Sequence, residues 1–133
     1  MDMGRLEEGK TMKDKLEFIF SCQAELQEGL LGAKLPNDCP ELIAPYALGI
    51  VSEIGEVLQA DKRWKAGMSK TGGDQNYHND EEVLEELTDC LLYFVNLSLA
   101  CNVNYDTLFK SFINVQNKVR RRNSLPEVEY YGK

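Results

Sequence analysis

The sequence is poor in the side chains that most often hold transition metals. It has one histidine, His78, and four cysteines (Cys22, Cys39, Cys90 and Cys101) with no CxxC spacing. Structural zinc sites draw their ligands from paired Cys and His, so with its only histidine in a loop the chain is not expected to hold one. No Glu lies three residues before the histidine, which excludes the Glu-x-x-His pairs of ferritin-like di-iron bundles. No GxxxxGK[ST] loop is present, so P-loop phosphate chemistry is unsupported. There is no excess of basic residues either: 15 Lys and Arg stand against 22 Asp and Glu, a formal charge of −7. That balance speaks against a nucleic-acid partner, although a bound cation can reverse the local sign and admit a small phosphorylated substrate. No apolar run approaches the ~20 residues that span a bilayer, and no membrane partner is expected. The first ten residues, MDMGRLEEGK, lack the apolar core of a signal peptide. A cytoplasmic location and reduced cysteines, three of them in helices beside apolar residues, are the expectation.

The 133 residues suit one domain with a modest core, with 1–12 and 123–133 as flexible or interface tails. Apolar periodicity predicts four helices and no strand. The first starts near Thr11, with Asp14 three residues on, and runs from about Lys13 to Gln27. A loop with Gly29, Gly32 and LPNDCP follows. The second begins between Pro40 and Pro45 and continues to about Lys65, with a core stripe of Ala47, Ile50, Val51, Ile54, Val57 and Leu58. Residues 66–78 are Gly-rich and read as a mobile loop, in which Lys70 and His78 are solvated. Asn79 or Asp80 caps the third helix, which ends near Cys101. The fourth runs from about Tyr105 to Arg122, with Leu108, Phe112, Val115 and Val119 as its apolar stripe. The expected architecture is all-α, a four-helix antiparallel bundle.

The third helix carries an anomaly. From Cys90 onward it is apolar nearly all round, which marks a buried helix, yet Glu82, Glu86, Asp89, Tyr93 and Asn96 recur on one face. Inward carboxylates are costly unless paired. The second helix supplies a matching pair: Glu53 with Glu56, flanked by the small residues Gly49 and Ala60, answers Glu86 with Asp89, each pair spaced i, i+3. If the two helices pack antiparallel, four carboxylates converge, and like charges at that range call for a cation. Oxygen donors alone select a hard ion, Mg²⁺ or Mn²⁺.

These motifs, SEIGE at 52–56 and ELTD at 86–89, inside EIGEVLQADKRWK and EELTDCLLYFVNLSLA, resemble the MazG-like all-α nucleoside triphosphate pyrophosphohydrolases. That family includes the dimeric dUTPases and the dCTP pyrophosphatases, and its pattern is roughly EExxE followed by ExxD. The similarity covers residues 42 to 122, with Ser52 in place of the pattern's first Glu. The resemblance implies a MazG-like bundle completed by oligomerisation and a Mg²⁺ site of Glu53, Glu56, Glu86 and Asp89. Glu53 or Glu56 would orient the attacking water. It further implies substrate contacts from Trp64, Lys65, Tyr93 and Asn96, and from a fourth-helix cluster of Asn117, Lys118 and Arg121. Phe20, Gln23 and Gln27 of the first helix are candidate pocket residues. The implied reaction converts a (d)NTP and water to the (d)NMP and pyrophosphate, in a homodimer or homotetramer engaged in nucleotide-pool clean-up. Two other readings stand beside it. One is a phosphoribosyl-ATP pyrophosphohydrolase-like enzyme, against which Phe94 counts, since that branch tends to carry a histidine after the third-helix tyrosine. The other is a non-catalytic helical oligomerisation or regulatory module.

Overall fold

The computed structural model describes residues 12–31, 38–65 and 76–130, with the backbone alone at Met12 and Lys13. The expectations for residues 1–11 with the Thr11 helix start, for Gly32 and the chain to Asn37, for Lys70 and residues 66–75, and for 131–133 lie outside the described residues. Among the described residues four helices form: α1 Met12–Leu31, α2 Ile43–Ala60, α3 Asp80–Ala100 and α4 Tyr105–Arg122, with 3₁₀ turns at Pro40–Leu42 and Arg63–Lys65. The chain is all-α, as expected. Among the described residues the only extended pairing is an isolated antiparallel bridge between Asp61 and His78. No described helix is long and apolar enough to cross a membrane.

The described residues of 38–101 make one compact unit, and those of 12–31 with 102–130 make another. In the first, α2 and α3 pack as a hairpin. Asn79, in extended backbone, starts α3 by accepting the Glu82 N–H at 3.1 Å. Asp80, Glu81 and Glu82 place negative charge at the positive end of the helix dipole. Asn79→Ala is expected to cost about 1 kcal/mol of unfolding free energy in urea titration.

The second helix is shorter than its pattern predicts. It stops at Ala60 because Asp61 turns extended (φ −133°, ψ 106°). Two backbone bonds hold this exit: Lys62 N–H to Tyr77 C=O at 2.8 Å and Asn79 N–H to Ala60 C=O at 3.0 Å. Asp61 then accepts from the Arg63 backbone (3.0 Å), Nε (2.9 Å) and Nη2 (2.6 Å), which initiates the 3₁₀ turn. The Arg63 hydrogen bonds hold the Asp61 carboxyl at about 2. Because its folded value is depressed, the stabilisation it gives is present above the unfolded carboxylate range and is lost as pH falls through about 2. Trp64 and Lys65 therefore sit on a separate turn beyond α2, not at its last turn. At the other end, Asp38 and Cys39 N–H bond to the Leu99 and Ala100 carbonyls at 3.2 and 2.8 Å.

In the second unit α1 packs on α4. Asn104 caps α4 by accepting the Thr107 N–H at 2.9 Å. At its far end Ser124 takes a left-handed conformation (φ 56°). Leu125 N–H then reaches Arg120 C=O at 2.9 Å, and Ser124 N–H reaches Arg121 C=O at 3.3 Å. This double closure is a Schellman motif, and it returns residues 125–130 along α4. Tyr130 meets Phe109 edge-on, ring centroids 4.7 Å apart. The tail sections that lacked periodicity thus pack on their own helix as far as Tyr130.

Two predicted core stripes are only partly covered. Val51, Ile54 and Leu58 on α2, and Phe112, Val115 and Val119 on α4, are exposed. A helix in a two-helix contact buries one stripe, and these side chains lie away from it. The cysteines are all free; Cys39 is buried, Cys22 and Cys90 are half-buried, and Cys101 is exposed rather than buried.

Candidate metal centre

Helix spacing puts Glu86, Asp89 and Tyr93 on the α2-facing stripe of α3, and Gly49, Glu53 and Ala60 on the α3-facing stripe of α2. Close approach is possible because Gly49 has no side chain. A Cβ built there would lie 2.5 Å from both Cδ1 and Cε1 of Tyr93, so the tyrosine ring occupies the space that any other residue would need. Tyr93 is half-buried in this position.

One turn away, carboxylate oxygens of Glu53, Glu86 and Asp89 all lie within 4.8 Å of one another, each residue half-buried. An octahedral Mg²⁺ with bonds near 2.1 Å sets its oxygen donors ~3.0 Å apart when adjacent and ~4.2 Å when opposite. Three oxygen donors within 4.8 Å of one another lie somewhat wider than that, close enough for small side-chain rotations to bring them to it. The cluster is also electrostatically under-compensated. Desolvation, a hydrogen bond with Glu53 and the charges of Asp89, Glu53 and Glu56 push the Glu86 carboxyl above the ordinary carboxylate range. The neighbouring Cys90 thiol is raised by burial and by the charges of Glu53, Asp89 and Glu86.

Glu56 is not among the three; it is exposed, although its charge acts on Glu86. Asn96 is buried and hydrogen-bonded or otherwise engaged at 3% exposure. Trp64 donates its indole N–H to Leu58 C=O at 3.1 Å, leaving the ring 44% exposed. Lys65 Nζ lies 5.4 Å from the centre of that ring, a cation–π pair. On α4, Asn117 grips the returning tail with both ends of its amide: Nδ2 donates to Val128 C=O at 3.0 Å and Oδ1 accepts Val128 N–H at 2.6 Å. Arg121 pairs with Glu127, Arg120 donates to Pro126 C=O at 3.2 Å, and Lys118 is exposed. Phe20 and Gln23 of α1 are buried and Gln27 half-buried. Sequence reasoning missed the tail's claim on Asn117 and Arg121, and the signal was weak: residues 125–130 have no periodicity, and only the Ser-Leu-Pro after the Arg run marks a reversal.

Compared with protein-family models, curated proteins and solved structures, the chain matches none.

Proposed function

We propose that this chain is a Mg²⁺-dependent nucleoside triphosphate pyrophosphohydrolase that cleaves a (d)NTP to the (d)NMP and pyrophosphate. The observation that carries the proposal is the three-carboxylate cluster of Glu53, Glu86 and Asp89 on a two-helix wall, formed by the motifs on which the resemblance to MazG-like enzymes rests. Mg²⁺, with Mn²⁺ as a substitute, would supply charge neutralisation at the phosphate oxygens as pyrophosphate leaves.

The chain's own residues divide the remaining work. Glu53, Glu86 and Asp89 hold the cation. Glu56 lies one helical turn from Glu53 and outside the cluster, so its carboxylate is the one left to orient and deprotonate water. Tyr93, one turn beyond Asp89, borders the nucleotide, with Asn96 behind it. The exposed face of Trp64 suits base stacking, and Lys65 suits a phosphate. On α4 the reading assigns Asn117, Lys118 and Arg121 to the triphosphate. Because Arg121 pairs with Glu127 and Asn117 with Val128, a phosphate there would have to displace the tail, a carboxylate in one case and a peptide group in the other. A cytoplasmic site of action fits a nucleotide-pool role.

The test is pyrophosphate release from a panel of ribo- and deoxyribonucleoside triphosphates, with and without Mg²⁺. The expected result is pyrophosphate and monophosphate in equal amounts, only with the cation. Release of orthophosphate, or no turnover on any triphosphate, would overturn it.

A further inference from the structure

The six residues that return along α4, Leu125 to Tyr130, are held in two different ways. Most of the grip is on neutral groups. Asn117 spends both ends of its amide on the peptide groups of Val128, and Arg120 donates to Pro126 C=O at 3.2 Å. Tyr130 lies edge-on to Phe109, driven in far enough that its hydroxyl is enclosed. Val128 and Tyr130 are half-buried.

Glu127 is held differently. Its carboxylate pairs with Arg121, and the two side chains are 50% and 61% exposed. A pair so open to water holds by a factor of about five at most. The backbone is fixed on both sides of Glu127, at Pro126 and at Val128, so the carboxylate can leave Arg121 by turning about its own side-chain bonds. Nothing else in the tail has to move.

The cation beneath it belongs to a cluster. Lys118, Arg121 and Arg122 stand at i, i+3 and i+4, on one face of the last turns, and all three are exposed. In a chain of formal charge −7, residues 118–122 read KVRRR. A helix C-terminus ordinarily repels anions through its free carbonyls. Here the Arg120 carbonyl accepts from the Asn123 and Leu125 N–H groups, and the Arg121 carbonyl accepts from Ser124. The face is therefore cationic with its opposing dipole largely tied up, and the anion seated on it is the chain's own.

We propose that the tail is a two-part strap: Asn117 and Phe109 clamp it in place, while Glu127 is a built-in competitor that occupies Arg121 until a phosphate oxyanion exchanges with it. The strap thus lowers the affinity of this face for phosphate without closing it. The proposal takes the identity of the anion from the pyrophosphohydrolase reading and alters that reading in one respect. Asn117 is the clamp of the tail, and the phosphate is met by Lys118 and Arg121.

The test is titration of the full chain with inorganic pyrophosphate in metal-free buffer, so that no cation engages the carboxylate cluster. Calorimetry gives the affinity, the Nε–Hε signal of Arg121 in NMR locates the anion, and the nuclear Overhauser contact between Phe109 and Tyr130 reports on the tail. Sulfate at equal ionic strength is the control. Pyrophosphate is expected to move the Arg121 signal more than sulfate does, with the Phe109–Tyr130 contact kept at saturation. Glu127→Gln should tighten binding about two- to fivefold and keep that contact. In an Arg121→Gln background it should lose most of its effect. Asn117→Ala should release the tail and also tighten binding, whereas loss of a residue that itself held the anion would weaken it. The proposal is overturned by pyrophosphate that does not bind or binds no better than sulfate, or by an affinity that Glu127→Gln leaves unchanged. It is overturned equally if Asn117→Ala weakens binding, or if saturation breaks the Phe109–Tyr130 contact. Turnover reports separately. Pyrophosphate binding that responds to Glu127, in a chain that hydrolyses no triphosphate, would sink the enzymatic reading and leave the strap standing.

Discussion

Asp89→Asn is expected to abolish Mg²⁺-dependent pyrophosphate release, by roughly a thousandfold or more, equivalent to ~4 kcal/mol of barrier, and with it the stabilisation by Mg²⁺. The parent chain should be stabilised by about 2.7 kcal/mol when Mg²⁺ is present at 100 times its Kd, read as a shift in thermal midpoint. The variant should show none. The amide keeps the size and one oxygen of the carboxylate but removes a charge from the three-donor set. It also removes one of the charges that raise Glu86, so the variant without metal should be no less stable than the parent. Loss of activity combined with an unaltered apo midpoint separates a ligand from a structural residue. Glu56→Gln is the companion variant. It should lower turnover by about 10²- to 10⁴-fold and retain the Mg²⁺-dependent shift, because Glu56 stands outside the cluster. Turnover that survives both substitutions would sink the proposed centre.

The same centre fixes the sign of a pH effect. The folded-state value of Glu86 is raised, so folding favours its protonated form relative to the unfolded chain. Its stability should fall as pH rises from below the unfolded carboxylate range through that raised value. Mg²⁺ competes with this proton, so its apparent affinity, measured by calorimetry, should increase over the same interval and release protons to the buffer.

Gly49→Ala is expected to destabilise the chain by about 1–2 kcal/mol in denaturant titration, the reverse of the usual effect of alanine in a helix. Alanine gains about 1 kcal/mol of helix propensity over glycine. Here its methyl group would enter the Tyr93 ring, with two ring carbons at 2.5 Å and Cζ at 3.0 Å, and overpacking of this kind costs ~1–3 kcal/mol. The rotation that frees the ring also separates α2 from α3 where the carboxylates meet, so Mg²⁺ affinity should fall too. Two controls make the cause legible. Gly29→Ala, in α1 with nothing within 4 Å of its Cβ position, should stabilise by up to about 1 kcal/mol. Adding Tyr93→Ala to Gly49→Ala should recover stability relative to Tyr93→Ala alone, a coupling that two non-contacting residues would not show.

The carboxylate pairs were legible because chemistry and period agree. Glu86 and Asp89 lead into CLLYFV, an apolar context that makes an inward stripe visible, and Glu53 repeats the device with Gly49 beside it. What period alone does not give is which member of an i, i+3 pair converges with the other helix. Glu53 and Glu56 are 300° apart on the helix, equivalent to 60°, enough to bring one to the cluster and leave the other exposed. The α2 boundary was misjudged by five residues because QADKRWK contains strong helix formers. It is overridden by Asp61, whose side chain bonds the Arg63 N–H and competes with the helix for that backbone group. The core stripe of α2 was also over-assigned. Apolar side chains at Val51 and Leu58 carry the right period for burial, but period does not say whether the covering surface comes from the same chain.

The neck between Asp61 and His78 has a bearing on how such a chain can change over generations. Two backbone bonds across it define the register of α2 against α3 at the point where the connecting segment begins. The closure entropy of the segment beyond grows only with the logarithm of its length, about 0.6 kcal/mol per doubling. Insertions, deletions and wholesale rewriting between Arg63 and Asn76 are therefore nearly decoupled from the spacing of Glu53 and Glu86. The hairpin is a chassis on which the connecting segment can diversify while the carboxylates stay where they are.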